Sequence, residues 1–149
     1  MSAKISKSLF YILSFTWGLP LTIVGLFVAL ALTIAGYKPK KWNYCYYFEI
    51  GDNWGGVEFG VFFVVCKNSG TLIKNHEHGH GIQNCYFGPL MPLVVCIPSA
   101  IRYWYRELKY LRNGKTPPTS YDSVWFENSA TNLGSELNNW IRSNNNERN

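Results

Sequence analysis

The chain has 149 residues, of which 47% are hydrophobic, 17% aromatic and only 15% charged, with a formal net charge of +5. That length holds one domain and little more, and an average soluble domain is charged at roughly one residue in four, so the composition points to a membrane protein with a small water-facing part. Most of the Lys and Arg residues flank apolar blocks (Lys4 and Lys7; Lys38, Lys40 and Lys41; Arg102, Arg106, Lys109, Arg112 and Lys115), which matches lipid head groups and, with no basic-aromatic binding motif beside them, argues against nucleic acid.

Residues 1–41 read as an N-terminal membrane anchor with basic flanks. No charged residue occurs between positions 9 and 37, and roughly 20 apolar residues cross a bilayer core as a helix. The apolar stretch of a signal peptide is only about 7–15 residues long, and no convincing small-x-small cleavage site follows this one. An uncleaved transmembrane helix is the expectation. Gly18, Pro20 and Gly25 are tolerated there because lipid-facing helices accept kinks and close packing at small residues.

Residues 42–50 and 57–66 are β-type runs around Gly51-Asp52-Asn53-Trp54-Gly55-Gly56, which reads as a β-hairpin with a long loop. Val57, Phe59, Val61, Phe63 and Val65 share one face of the second run. Cys45 and Cys66 fall on facing strands and could pair in an oxidising compartment. With Cys85 and Cys96 they form no CxxC pair, which speaks against a cysteine zinc site.

Thr71 is a plausible N-cap for a helix to about Gln83. The apolar block 86–101 carries Pro89, Pro92 and Pro98, so a broken, re-entrant or interface-lying segment, extending to residue 105, is expected in place of a simple span. Residues 102–112 should form a helix at head-group level, with Tyr103-Trp104-Tyr105 as an interfacial belt. A last helix runs from Tyr121 to about Leu137. The domain then covers residues 42–137, and 138–149 form a disordered Asn-rich tail.

The chemistry concentrates at His76-Glu77-His78-Gly79-His80. Histidines four apart on a helix point the same way and can grip one zinc through imidazole nitrogens. Glu77 beside them can take a proton from a zinc-held water, whose pKa the ion lowers towards 7. His78 lies about 200° around the helix from His76 and reads as a surface or supporting residue. Glu127-Asn128-Ser129-Ala130 stands 47 positions after His80 in another expected helix.

With H-E-x-x-H on one helix and E-x-x-A on a later one, the chain resembles a small gluzincin-type zinc metallopeptidase over residues 57–134. The resemblance implies Glu127 as third zinc ligand and Ala130 as the small residue that lets two helices pack closely. Many gluzincins place an Asp four residues after the ligand Glu to orient the first His; here that position is Thr131, which puts the support of the site in question. Tyr121, Tyr103 and Tyr105 are the candidates to steady a tetrahedral intermediate, while Asp122, Glu107 and Glu136 read as solvated charges.

The expected fold class is an α+β membrane protein: transmembrane helix, β-hairpin, zincin-like active-site helix and downstream glutamate helix. The expected function is a membrane-associated zinc metallopeptidase hydrolysing a peptide or protein substrate near the lipid bilayer, the strand 57–66 flanking the cleft. The alternative is a catalytically idle zinc-binding structural or regulatory membrane protein on the same scaffold. Shared ligands put both helices on one side of a plasma or inner membrane, and the positive-inside rule favours the cytoplasmic side.

Overall fold

A computed structural model describes residues 1–115 and 119–146 as an α+β fold, in which a four-stranded mixed sheet and a terminal helix sandwich a central helix. In chain order the elements are α1 (Lys7–Phe15), α2 (Leu19–Ile34), β1 (Lys40–Trp42), β2 (Cys45–Glu49), β3 (Gly56–Phe59), β4 (Phe62–Val65), α3 (Thr71–Phe87), α4 (Ile97–Asn113) and α5 (Trp125–Asn146).

The apolar block 9–37 is not one helix. It breaks at Thr16–Gly18, and α1 and α2 meet at 93°. Among the described residues no single helix is long and apolar enough to cross a membrane. The first half belongs to the core: Phe10 and Ser14 are buried, together with Ala3 and Ile5 ahead of them. One face of the segment 1–15 is therefore packed into the domain. The elbow is held by polar contacts, with the Thr22 hydroxyl donating to the Ser14 carbonyl at 2.9 Å and the Asn84 amide donating to the Gly18 carbonyl at 3.2 Å. The second half is different. α2 sets Leu21, Thr22 and Gly25 against the sheet and leaves Phe27, Leu30 and Ile34 exposed.

The run 57–66 is itself a tight hairpin. Phe59 pairs with Phe62 across Gly60-Val61, and Gly60 takes φ +74°, the left-handed region open to glycine at the first place of a two-residue turn. The strand order is β1-β2-β4-β3. β2 runs parallel to β4, not antiparallel to it, with Tyr46 opposite Phe62 and Glu49 opposite Val65. That register leaves Cys45 beside Val61 and Cys66 beside Ile50, at opposite ends of the strand pair. The two thiols are free, as are Cys85 and Cys96. β3 stands at the sheet edge.

α3 starts at Thr71 with Gly70 as its cap residue and continues a turn beyond Gln83 to Phe87. It is an unusual central helix, because Asn75, Glu77, His78, His80, Gln83 and Asn84 are all buried. Buried polar groups are costly unless they find partners. Asn75 accepts from the Trp42 indole at 3.1 Å and Gln83 donates to the Phe126 carbonyl at 2.8 Å. One side of α3 sets Ile82 against Phe10, Cys45 and Phe63 in the main core. The other side crosses α5 with almost no intervening side chain: a Cβ at Gly79 would collide with the Ala130 carbonyl group, and one at Gly134 with that of Asn75.

The proline-bearing block turns the chain sharply. A 3-10 turn at Gly88–Leu90 and a π-helical segment at Pro92–Cys96 lead into α4, bent by 116° from α3. α4 exposes Leu93 (just before it), Ile97, Ile101, Trp104, Leu108 and Leu111, a spacing of three and four that lines one helix face. Its other face holds the chain ahead of α5. Arg102 donates to the Tyr121 and Ser120 carbonyls at 3.1 and 2.7 Å, and Arg106 to the Thr119 carbonyl at 2.6 Å. Both arginines thereby hold the protein's own backbone. α5 extends through Asn146, so much of the expected tail is helical, with Leu137 buried and Trp140 and Ile141 packed on the core; residues 147–149 lie outside the described residues.

Candidate metal centre

Two helices bring three ligand-type atoms together. His76 and His80 sit one turn apart on α3, and Glu127 lies in the first turn of α5. The His76 and His80 Nε2 atoms are 3.1 Å apart, and Glu127 Oε2 is 3.1 Å from the first and 3.3 Å from the second. Three ligands of a tetrahedral zinc at its usual bond lengths are about 3.3–3.4 Å apart. The triangle therefore has the size of one face of such a site. The smallness of Gly79, Ala130 and Gly134 makes this approach possible.

The outer atoms of the triangle are each held. His76 Nδ1 lies 2.8 Å from Thr131 Oγ1, which donates in turn to Asp122 at 3.2 Å. His80 Nδ1 lies 2.8 Å from Gln83 Oε1, whose amide nitrogen is committed to the Phe126 carbonyl. An amide oxygen only accepts, so His80 carries its proton on Nδ1. Thr131 has one hydrogen, given to Asp122, so His76 Nδ1 also donates. Both Nε2 atoms thus present lone pairs towards Glu127 Oε2, which has no hydrogen-bond partner among the described residues. Three converging lone pairs at this distance repel unless a cation sits among them. Ser99 fixes the remaining Glu127 oxygen with a 2.5 Å hydrogen bond.

The electrostatics agree in direction. Burial works to lower the His76 pKa, but the neighbouring carboxylates of Glu127, Glu77 and Asp122 outweigh it and raise it. Burial works to raise the Glu127 pKa, but the adjoining His76 and His80 rings, with the Ser99 hydroxyl, win and hold the carboxyl well below the usual carboxylate range. The cluster favours positive charge.

Glu77 is buried next to the triangle with its carboxyl against the backbone of Gly56 on β3, where a Cβ would meet its Cγ at 2.8 Å and Oε1 at 2.5 Å. Burial raises its pKa, opposed by His76 and His80. Two cavities, of about 510 and 350 Å³, meet over His76, Glu77, Gly56, Tyr103 and Tyr121. Tyr121 faces both, and burial foremost pushes its phenol up to about 12, so it stays a hydrogen-bond donor. Tyr105 lines neither cavity and stacks on Lys109, which removes it from the candidates for steadying an intermediate. Tyr103 and Trp104 help to wall the larger cavity and so do more than face an interface.

His78 does point away from the site, but into the core and not to solvent. It is fully buried, edge-on to Phe10 and Tyr44 at 5.7 Å each, and burial drives its pKa down to about 3. It is a neutral core residue. Asp122, read as a solvated charge, is the end of the hydrogen-bond chain from His76. Glu107 and Glu136 are not part of the cluster. Gln83, Ser99, Gly56 and Asp122 escaped the sequence reading, because no short motif ties them to the histidines; only the position of Gln83, three residues after His80, offered a clue. No known protein family, curated protein or solved structure matches this chain.

Proposed function

We propose that this protein is a membrane-associated zinc metallopeptidase, with His76, His80 and Glu127 holding the ion and Glu77 as general base. The observation that carries the reading is the convergence of the two Nε2 lone pairs and an unpartnered carboxylate oxygen within 3.1–3.3 Å of one another, beside a buried glutamate and at the meeting of two cavities. Two imidazoles and a glutamate leave one tetrahedral position open, as catalytic zinc sites do. Zinc in that place supplies Lewis acidity and a water acidic enough to lose a proton at neutral pH.

The chain's own residues supply the rest. Glu77, pressed against Gly56, takes up the proton and is placed to pass it to the leaving amine. Tyr121 offers its hydroxyl where negative charge develops on the substrate carbonyl. The edge strand β3, alongside the cleft, presents free backbone groups to an extended peptide. Thr131 with Asp122, and Gln83 with the Phe126 carbonyl, keep both imidazoles in the ligating tautomer.

The membrane enters through α2 and α4. Sixteen uncharged residues of α2 and the apolar stripe of α4 leave large side chains exposed, Ile34 at 79% and Leu111 at 75%. Exposed apolar helix faces of this kind mark a membrane or partner site. Basic side chains at Lys109 and Arg112 beside the α4 stripe favour anionic lipid.

The decisive experiment is zinc analysis of detergent-purified protein with a peptide-cleavage assay. About one zinc per chain is expected, lost in His76→Ala and His80→Ala; Glu77→Gln should keep the zinc and lose cleavage. Equal zinc content in wild type and a double His variant would refute the site.

A further inference from the structure

Glu58 is a second buried acid that the proposed hydrolysis does not use. It lies on β3, is only 6% exposed, and neither carboxyl oxygen has a hydrogen-bond partner among the described residues. It lines the larger cavity together with Trp54, Phe59, Trp104 and the Glu77 base. Among the described residues no Lys or Arg lines that cavity.

Strand geometry sets its place. Residues two apart share a face and lie about 7 Å apart along a strand. Gly56 meets Glu77 on the face towards α3, so Glu58 points the same way, one step further from the base. An unpartnered carboxyl in an apolar setting is expensive to bury, and its nearest charged neighbour of the proposed machinery, Glu77, repels it. A cation brought by a ligand would relieve that cost by pairing with the carboxylate. Aromatic walls complete such a site, because ring faces attract ammonium groups.

We propose that Glu58 and the aromatic walls of the larger cavity form a recognition site for a primary ammonium group of the substrate, one step along β3 from the scissile bond. The inference rests on the peptidase reading for its substrate class, but ammonium binding does not require hydrolysis. The ammonium has two possible sources, a lysine side chain and a free amino terminus; both would donate to the Glu58 oxygens and displace the apolar cost of leaving them bare.

The test is titration calorimetry on the full chain in detergent, with zinc content measured in parallel. The probes are Nα-acetyl-lysine amide (side-chain ammonium only), norleucine amide (α-ammonium only) and Nα-acetyl-norleucine amide (neither). Wild type should bind at least one of the two cations about tenfold or more tighter than the neutral probe, and the tighter one names the source. Glu58→Gln should abolish that preference while keeping the wild-type zinc content. Equal affinities for all three probes on wild type overturn the proposal without any variant, as does an undiminished preference in folded Glu58→Gln. Zinc without ammonium preference refutes this inference alone; ammonium preference without zinc refutes the peptidase reading alone.

Discussion

Gly79→Ala is the substitution that most directly connects helix packing to the metal centre. The added Cβ would lie 2.6 Å from the Ala130 carbonyl carbon and 2.9 Å from its Cα, where carbon atoms normally rest about 3.5–4.0 Å apart. Both obstacles are backbone, so no side-chain rotation relieves them, and α3 must move away from α5 by about 1 Å. Overpacking of this kind costs about 2–3 kcal/mol, or roughly 5–10 °C in Tm for a chain of this size. The same movement carries Glu127 away from His76 and His80. Zinc bond lengths tolerate only about 0.2 Å, so the third ligand is lost and affinity should drop by about 100-fold or more, beyond the effect of losing one supporting contact. The control is Gly70→Ala at the start of the same helix, where a Cβ meets nothing within 4 Å and the cap difference is under about 1 kcal/mol. Thermal unfolding and competitive zinc titration read the two effects. Wild-type zinc affinity in Gly79→Ala would refute the idea that the close crossing builds the site.

Thr131→Val should lower zinc affinity about 10- to 100-fold by removing the partner of His76 Nδ1 and its link to Asp122; unchanged competition with a chelator would show that Thr131 merely packs. Gly56→Ala should retain zinc yet reduce cleavage towards the level of Glu77→Gln, because its Cβ would displace the base, and full activity would be inconsistent with Glu77 resting there. Burial first, and then the charge of Glu77, raise the Glu58 pKa well above 4.5. A carboxyl with a raised folded pKa contributes its stability fully below the unfolded value and loses it as pH climbs through the folded one; urea midpoints of wild type should therefore decline relative to Glu58→Gln from about pH 4.5 upward, and parallel profiles would contradict the burial. Leu30→Asp places a charge on the exposed face of α2; it should leave the fold intact and weaken vesicle co-sedimentation, since charge is costly in the hydrocarbon region, whereas unaltered partition would remove α2 from the membrane surface.

Local chemistry was legible in the sequence wherever it is written in short-range spacing. The four-residue step from His76 to His80 dictates a shared helix face whatever the surroundings, and the α3 helix that carries it appeared within a few residues of its expected bounds. Glu127 was reached through the small residue Ala130 three positions on, and both lie at the α3–α5 crossing. The prolines after Gly88 likewise signalled a break, because they cannot continue a regular hydrogen-bond ladder.

Long-range arrangement was decided only by packing. A hydropathy run cannot tell a bilayer from a core, so residues 9–37 read as one span, while Phe10 and Ser14 are in fact buried and the Thr22 and Asn84 hydrogen bonds hold a bend. Apolar alternation across Gly60 hid a turn, and strand partners depend on register with distant residues, which is why β2 runs parallel to β4 against expectation. The Thr131 departure looked like a missing support. In three dimensions Asp122, nine positions earlier, supplies the carboxylate through the threonine hydroxyl. A carboxylate can reach the same histidine from any nearby element, and only the fold brings that element within hydrogen-bond distance.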